Sequence, residues 1–389
     1  MSNDSLTLNI GPAHPATHGA LRFSVELDGE TITKAHTEIG YLHRAFEKHS
    51  EHSTWSQIIP YTDRLNYCSS MMNNVGYCLA VEKLLGITIP ERSQFIRVIV
   101  AELSRIMDHL ICVGTSAVDL GALSNFWYFF NVRERIYDFT ERLCGARLTT
   151  NYTRIGGVMR DFPEDAPEEI KTILKDLDHA VKDVTRLLER NRIFMDRTQG
   201  IGAVSREQAL NWGFTGPCLR ASGVPHDIRR AEPYYHYDEF DFEIPVGTQG
   251  DTYDRLMVRI EEMRQSAKII RQAMNRLTPG PVLADDPRIA LPPKEKVYGS
   301  IEGLMNHFML LVDGIKPPAG EIYSATEAAN GELGFFIISD GGPKPYRVHV
   351  RPPCFPLAAA YGRLAEGGLI ADAVAILGSL NIIVGELDR

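Results

Sequence analysis

Two histidines that could reach a ligand stand near the start of the chain, in the segment His14-Pro-Ala-Thr-His18-Gly19. Histidines four residues apart on a helix can share a metal ion, but Pro15 and Gly19 do not allow a regular helix here. We therefore expect a loop. Its imidazoles either face a ligand or are surface side chains that bind nothing.

Tyr67 is the second candidate and lies in the run Asp63-Arg-Leu-Asn-Tyr67-Cys68, which opens a predicted helix. Its ring is either packed in the core or serves as a proton donor. A phenol has an ordinary pKa near 10, so it donates a proton only to a group that has become very basic.

Asp119 is the one charged residue between Leu110 and Phe130. That stretch has about the length of a membrane span. Its small and polar residues instead favour two buried helix ends that meet at a turn. Because an unpaired buried carboxylate is costly, we expect Asp119 to cap a helix that begins at Leu120, to take a proton, or to face a histidine and favour its charged form.

Other sites of known chemistry are not indicated. No two of the six cysteines have the spacing CxxC, so the thiols supply no local metal-ligand pair and predict no disulfide framework. The patterns GxGxxG, GxxxxGK[ST], GxSxG and HExxH do not occur. Most nucleotide-binding and hydrolase classes are therefore disfavoured.

The composition is that of a globular protein with a large core. The chain has 389 residues, of which 44% are hydrophobic, and a net charge of −9. An acidic balance argues against nucleic acid as a partner. The N-terminal residues lack the basic and apolar regions of a signal peptide, so we expect no cleaved targeting segment.

The elements that must position these residues follow from periodicity. Alternation predicts strands at 6–10, 21–27 and 30–37, with a hairpin at Asp28-Gly29, and a three-strand meander from Tyr323 to Val350. Helical stripes cover 91–111, 126–143, 164–192, 254–277, 300–312 and 369–377. The prediction is a mainly helical α+β fold in one domain, 1–389: a β-hairpin region (1–40), a helical bundle (41–315), and a β meander with helices (316–389).

Several motifs, in the same order along the chain, closely resemble the family of the D subunit of proton-pumping NADH–quinone oxidoreductase, the respiratory complex I. These runs are Gly11–Arg22, Gly40–Lys48, Asp63–Tyr67, Pro245–Asp251, Val258–Gln265, Ser339–Gly341 and Gly385–Arg389. The resemblance runs from about residue 9 to the last residue. It implies the helical bundle of the large subunit of nickel–iron hydrogenases, with small antiparallel β regions near both termini.

A hydrogenase needs two cysteine pairs, because nickel and iron are held there by thiolates. Where the first cysteine pair would lie, this chain has Asn66 and Ser69. The second pair would lie in the last residues, but the last cysteine of this chain is Cys354. The resemblance therefore implies a site without a metal, in which the former metal cavity holds a quinone headgroup.

By the matching motifs, His18 and Tyr67 contact the headgroup, and Asp119 is the partner of His18. Arg44 lies beside the iron–sulfur cluster of a neighbouring subunit, and His14 supports the quinone-site loop. Many relatives have histidine where this chain has Thr149. A threonine side chain cannot titrate near neutral pH.

The resemblance also implies the setting of the chain. No cofactor is bound by this chain alone; quinone is the substrate, and the [4Fe–4S] cluster sits in the adjacent B subunit. The other partners are the C subunit, in the peripheral arm, and the H subunit, in the membrane. The complex would bind NAD and transport electrons to quinone at the cytoplasmic face of the bacterial inner membrane, or at the matrix side in an organelle. Two alternatives stay open: a quinone reductase fed by ferredoxin or a deazaflavin, and a non-catalytic assembly subunit.

Overall fold

The computed structural model describes residues 6–389 and shows a mainly helical chain with small antiparallel sheets near both ends. The strands are β1 (Leu6–Ile10), β2 (Arg22–Asp28), β3 (Thr31–Glu38), β4 (Thr153–Arg154), β5 (Gly157–Val158), β6 (Gly320–Ala328), β7 (Gly331–Ser339) and β8 (Arg347–Arg351). The predicted fold class is confirmed.

Most of the helices lie between β3 and β6 in the sequence. They are α1 (Phe46–His52), α2 (Trp55–Thr62), α3 (Ser70–Leu85), α4 (Glu91–Asp119), α5 (Leu123–Cys144), α6 (Ala166–Glu189), α7 (Arg192–Asp196), α8 (Arg206–Asn211), α9 (Gly216–Ala221), α10 (Ile228–Ala231), α11 (Thr252–Asn275), α12 (Lys294–Gly299), α13 (Ile301–Val312), α14 (Cys354–Ala365), α15 (Ile370–Leu380) and α16 (Val384–Leu387). Single 3-10 turns occur at Pro15–Thr17, Tyr67–Ser69 and Tyr237–Glu239. None of the helices between residues 6 and 389 has the length and apolar character that a bilayer crossing requires.

Both predicted hairpins are present. In the first sheet, order β1-β2-β3, Asp28 pairs with Thr31 across a two-residue loop that contains Gly29 at φ 61°. In the last sheet, order β6-β7-β8, Ala328 pairs with Gly331 across a loop of the same length. A two-residue hairpin loop favours residues that accept positive φ, which is why glycine marks the first turn.

Helix α4 is the centre of the bundle and packs against α3, α5, α11 and α15. Its apolar residues are buried around most of the helix, which is typical of a core helix rather than a surface one. The amphipathic helix α6 instead buries one stripe against α5 and α11. The predicted stripe ended at Ile111, but α4 continues to Asp119.

Charged side chains are also buried in α4, and they meet partners on other segments. Glu102 receives hydrogen bonds from Arg105 at 3.1 Å and from Arg229 at 3.1 Å. Glu262 of α11 receives one from Arg220 at 2.7 Å. Burial alone would raise the pKa of Glu102, but the two guanidinium groups outweigh it and hold that pKa at about 2. This layer of ion pairs fixes how the core helices sit against one another.

The N-terminal sheet packs on the C-terminal helices. Strand β3 contacts α14, and Thr31 forms a bridge with Leu369. A hydrophobic cluster joins Phe23 and Val25 of β2 to Tyr361 of α14. The two ends of the chain therefore meet beside α4. The prediction of one undivided domain stays a prediction.

Candidate functional site

A cleft of about 330 Å³ opens where the loop after β1, the turn at Tyr67, the end of α4, the start of α5 and the C-terminal segment come together. Its lining is largely apolar, with a few polar groups. The lining residues are Pro15, His18, Tyr67, Cys68, Ile111, Thr115, Val118, Asp119, Phe126, Asn381 and Ile383. Three of the predicted site residues, His18, Tyr67 and Asp119, thus share one cleft.

The histidine loop is held by its own hydrogen bonds. The ring Nδ1 of His14 accepts from the backbone N–H of Ala16 at 3.2 Å, which caps the 3-10 turn. The Thr17 hydroxyl lies 2.7 Å from the carbonyl oxygens of His14 and Gly19. His18 follows at φ 53°, in the left-handed region that ends the 3-10 turn. His14 supports the loop but does not line the cleft.

His18 and Asp119 form a direct pair. The ring Nε2 of His18 lies 2.6 Å from Oδ2 of Asp119, and each side chain is 22% exposed. A short contact between an imidazole and a carboxylate is typical of a charge-assisted hydrogen bond. Such a bond fixes the orientation of the ring.

The helix-capping interpretation of Asp119 was wrong. Asp119 is the last residue of α4, and α5 begins at Leu123 after Ala122. The other interpretation, a carboxylate that faces a histidine, describes what the structure shows. The expected turn between two helix ends is present.

Tyr67 begins a 3-10 turn that Asn66 caps by accepting the N–H of Cys68 at 3.1 Å. The ring is largely buried. Burial raises the pKa of Tyr67 to about 12, helped by Cys68, Cys354 and Asp108 and opposed by Arg44. A phenol in this setting keeps its proton unless a strongly basic atom is next to it.

Asp108 of α4 links two walls of the cleft. Its carboxylate accepts from Nδ2 of Asn66 at 2.7 Å and from Nδ2 of Asn381 at 2.6 Å. Asn66 precedes Tyr67, and Asn381 itself lines the cleft. Asp108 was not predicted, although a carboxylate between Met107 and Leu110 in an apolar stripe was a visible signal.

Arg44 lies outside the cleft lining. Its guanidinium donates to the carbonyl oxygens of Arg64 at 2.6 Å and Gly385 at 3.3 Å, so it joins the Tyr67 turn to the C-terminal segment. Thr149 lies in a different segment, where the flanking Leu148 carbonyl accepts from Ser70 at 2.6 Å.

Cys68 lines the cleft, but its thiol is not activated. Burial raises its pKa well above the ordinary value, so the sulfur stays protonated. Within the described part of the chain, no three His, Cys, Asp or Glu side chains converge as a set of metal ligands.

Other lining residues were also missed by sequence reasoning. Ile111, Thr115 and Phe126 come from α4 and α5, and Asn381 and Ile383 come from the C-terminal segment. Apolar residues in helical stripes carry no signal that separates a cleft wall from the core. Only the fold brings these segments together.

The comparisons with known proteins agree on one family. The family model described as "Respiratory-chain NADH dehydrogenase, 49 Kd subunit" matches residues 119–389. The chain is 54% identical over 389 residues to the C/D subunit of NADH-quinone oxidoreductase of Bdellovibrio bacteriovorus, covering all of this chain and 70% of that protein. It is 54% identical to the D subunit of Myxococcus xanthus, over 99% of this chain and 92% of that one, and 51% identical to the D subunit of Geotalea uraniireducens over the full length of both.

Proposed function

The chain belongs to the family of the 49 kDa subunit of respiratory-chain NADH dehydrogenase, and from this premise we propose that its cleft binds a quinone headgroup for reduction. Membership makes the protein a subunit of NADH–quinone oxidoreductase. The quinone site, the proton coupling and the roles of single residues belong to the proposal.

The observation that carries the proposal is one cleft with apolar walls that an imidazole and a phenol line from separate segments. A quinone is a flat apolar ring with a carbonyl oxygen at each end, so two donors on different segments suit it. His18 and Tyr67 line the cleft from different segments, and Ile111, Val118 and Phe126 supply apolar contact.

The chemistry requires two electrons and two protons for each quinone. The iron–sulfur cluster of the neighbouring subunit would supply the electrons. As the headgroup oxygens gain charge, they become basic enough to take the Tyr67 proton despite its pKa of about 12. His18, which Asp119 orients through a direct hydrogen bond, would give the second proton from its imidazolium form. The product is the neutral quinol.

Proton coupling would begin at the His18–Asp119 pair. When His18 gives up its proton, the pair changes from neutral to negative. The His18 loop packs against the C-terminal segment, because a Cβ added at Gly19 would lie 2.6 Å from Cγ2 of Val384. A changed charge at this contact would bias the loops that face the membrane arm.

The remaining roles follow from the family. Arg44 would place its fixed positive charge beside the iron–sulfur cluster of the B subunit, where it would favour the reduced form of that cluster. The surroundings of the site are completed by the C subunit, together with the H subunit in the membrane. The assembled enzyme would lie at the cytoplasmic face of the membrane and pass electrons from NADH to quinone.

Substitutions in the assembled enzyme test the proposal. Tyr67→Phe and His18→Ala should each lower quinone reduction about 10²- to 10⁴-fold, the usual contribution of a general acid. NADH oxidation with a soluble artificial acceptor should stay at the wild-type rate. Tyr61→Phe is the matched control, because Tyr61 is 41% exposed and outside the cleft.

Each outcome has a clear meaning. Wild-type quinone reduction in both variants would refute the site. Failed assembly in both would indicate the non-catalytic assembly role. Activity with reduced ferredoxin or a deazaflavin in place of NADH would indicate the other electron input.

A further inference from the structure

The last helix carries a buried carboxyl group that the proposed chemistry does not use. Glu386, in α16, is 0% exposed. Neither of its carboxyl oxygens has a hydrogen-bond partner among residues 6–389. An ionised carboxylate in such a place would be very costly, so the group needs either a partner or a proton.

The residue before Glu386 packs on the turn that presents Tyr67 to the cleft. A Cβ added at the preceding residue, Gly385, would lie 2.5 Å from the carbonyl oxygens of Arg64 and Leu65 and 3.3 Å from Cδ1 of Tyr67. The C-terminal segment therefore packs on the turn that presents Tyr67. No side chain larger than hydrogen fits at Gly385 without moving that turn.

The Cys354 thiol connects Glu386 to the cleft wall. Its Sγ accepts the backbone N–H of Ile383 at 3.3 Å and contacts the Asn381 carbonyl oxygen at 3.6 Å. Both Ile383 and Asn381 line the cleft. The same thiol also influences the pKa of the Glu386 carboxyl group.

Charged and titratable groups from several elements act on Glu386, besides Arg44, whose guanidinium donates to the carbonyl oxygen of the preceding Gly385 at 3.3 Å. They are Cys354 of α14, Asp108 of α4, Arg351 of β8 and Cys68 of the Tyr67 turn. Burial raises the pKa of Glu386 to about 8; Cys354 and Arg351 oppose the rise, and Asp108 adds to it. Asp108, Cys354 and Cys68 also act on Tyr67.

We propose that Glu386 is a positioning residue whose charge controls proton release from Tyr67: the neutral acid permits it, and the carboxylate opposes it. This inference rests on the proposed quinone chemistry. Loss of the Tyr67 proton creates a phenolate near the buried carboxylate of Asp108. A second carboxylate, one residue after the glycine that packs on Tyr67, repels that phenolate, because few solvent dipoles screen the charges there.

The expected pH dependence follows from the negative charge that Glu386 acquires when it ionises. Glu386 is neutral below about pH 8 and ionised above it, so quinone reduction should be level on the acid side and fall on the alkaline side. In the limit the fall is about tenfold per pH unit, the rate at which the neutral fraction decreases. Tyr67 itself titrates near 12, too high to produce this fall.

The decisive variant is Glu386→Gln in the assembled, membrane-bound enzyme. Glutamine keeps the shape of the neutral acid and cannot ionise. Quinone reduction, divided at each pH by NADH oxidation with an artificial acceptor, should stay within about twofold of wild type at pH 7 and lose its alkaline fall. Glu366→Gln, at an exposed carboxylate, is the matched control and should keep the wild-type profile.

A second variant, Cys354→Ser, changes the neighbour rather than the acid. A serine hydroxyl is a stronger hydrogen-bond donor than a thiol and would supply the Glu386 carboxylate with the partner it lacks, so it should favour the ionised form. The alkaline fall should then move to lower pH by about half a unit or more. This variant also decides the question if Glu386→Gln does not assemble.

Two results would overturn the inference: an unchanged alkaline fall in Glu386→Gln, or loss of quinone reduction at every pH in the assembled variant. An unmoved profile in Cys354→Ser would overturn it as well. Tyr67→Phe separates this inference from the proposed function. If Tyr67→Phe reduces quinone normally, the quinone chemistry fails; if it does not, and Glu386→Gln keeps the fall, only the role of Glu386 fails.

Discussion

Asp108→Asn should loosen two walls of the cleft at once. Asp108 is 1% exposed and holds Asn66 and Asn381 through short hydrogen bonds of 2.7 and 2.6 Å. An asparagine has one acceptor oxygen, and its amide nitrogen would meet the amide nitrogen of one neighbour. One charged hydrogen bond is lost, and one buried donor is left without an acceptor.

Flipping a neighbouring amide does not repair the loss. Oδ1 of Asn66 accepts the N–H of Cys68 at 3.1 Å, and Nδ2 of Asn381 donates to Asn330 at 2.8 Å. Either flip breaks one of these bonds. A hydrogen bond to a charged group contributes about 1.5–3 kcal/mol, and an unsatisfied buried donor costs about 1–3 kcal/mol. The two figures overlap because both describe the same missing partner, so we expect a local destabilisation of about 2–4 kcal/mol.

Hydrogen exchange in the assembled enzyme measures this effect directly. A loss of about 2–4 kcal/mol corresponds to amide exchange that is about 30 to 1,000 times faster. The increase should appear in peptides that contain Asn66–Ser70 and Ser379–Ile383, and the KM for quinone should rise. Asp138→Asn is the control, because that carboxylate is 66% exposed and pairs with Arg147 on the surface. Unchanged exchange in both segments of an assembled Asp108→Asn enzyme would refute the reasoning.

Four further substitutions test three other features of the structure. Asp119→Asn should lower quinone reduction about 10- to 100-fold at neutral pH, the value of one charged hydrogen bond, with assembly verified by NADH oxidation with an artificial acceptor. Gly19→Ala should destabilise the His18 loop by about 1–3 kcal/mol, measured by thermal unfolding, and Val384→Ala should restore part of that loss because it removes the 2.6 Å clash. Burial raises the pKa of Asp63 to about 6, so the native state binds more protons than the unfolded state between pH 4 and 6. The free energy of unfolding of the wild type therefore decreases as the pH rises from about 4 to about 6. Asp63→Asn should remove about 3 kcal/mol of this fall in denaturant titrations.

Periodicity predicted most of the fold because the helices and strands bury regular faces. The stripe of α6 and the alternation of β2 are local features that a sequence displays directly. The regular apolar stripe of α4 ended at Ile111 because the last turns contain small and polar residues, and the helix end expected in the following stretch lies at Asp119. Those residues allow close packing of α15: a Cβ added at Gly378 would lie 2.9 Å from Oγ of Ser116.

The candidate site was predicted only in part. His18, Tyr67 and Asp119 were identified through a family resemblance, and the structure brings them into one cleft. The residues that hold the walls were not identified. Asn381 and Asp108 are 273 residues apart in sequence, and nothing in either local pattern indicates the other.

Buried polar residues explain where such prediction stops. A charged residue in an apolar stripe shows that the free-energy penalty of burial must be offset, but the sequence does not show by which partner. Guanidinium groups offset it for Glu102, and two side-chain amides offset it for Asp108. Glu386 differs, because its oxygens lack a hydrogen-bond partner within residues 6–389 and burial favours the protonated form instead. A pair of charges stabilises one arrangement over a wide pH range, whereas a lone acid held by its proton changes charge within the physiological range. That difference is the physical reason to look for control of the chemistry at Glu386 and not at the ion pairs of α4.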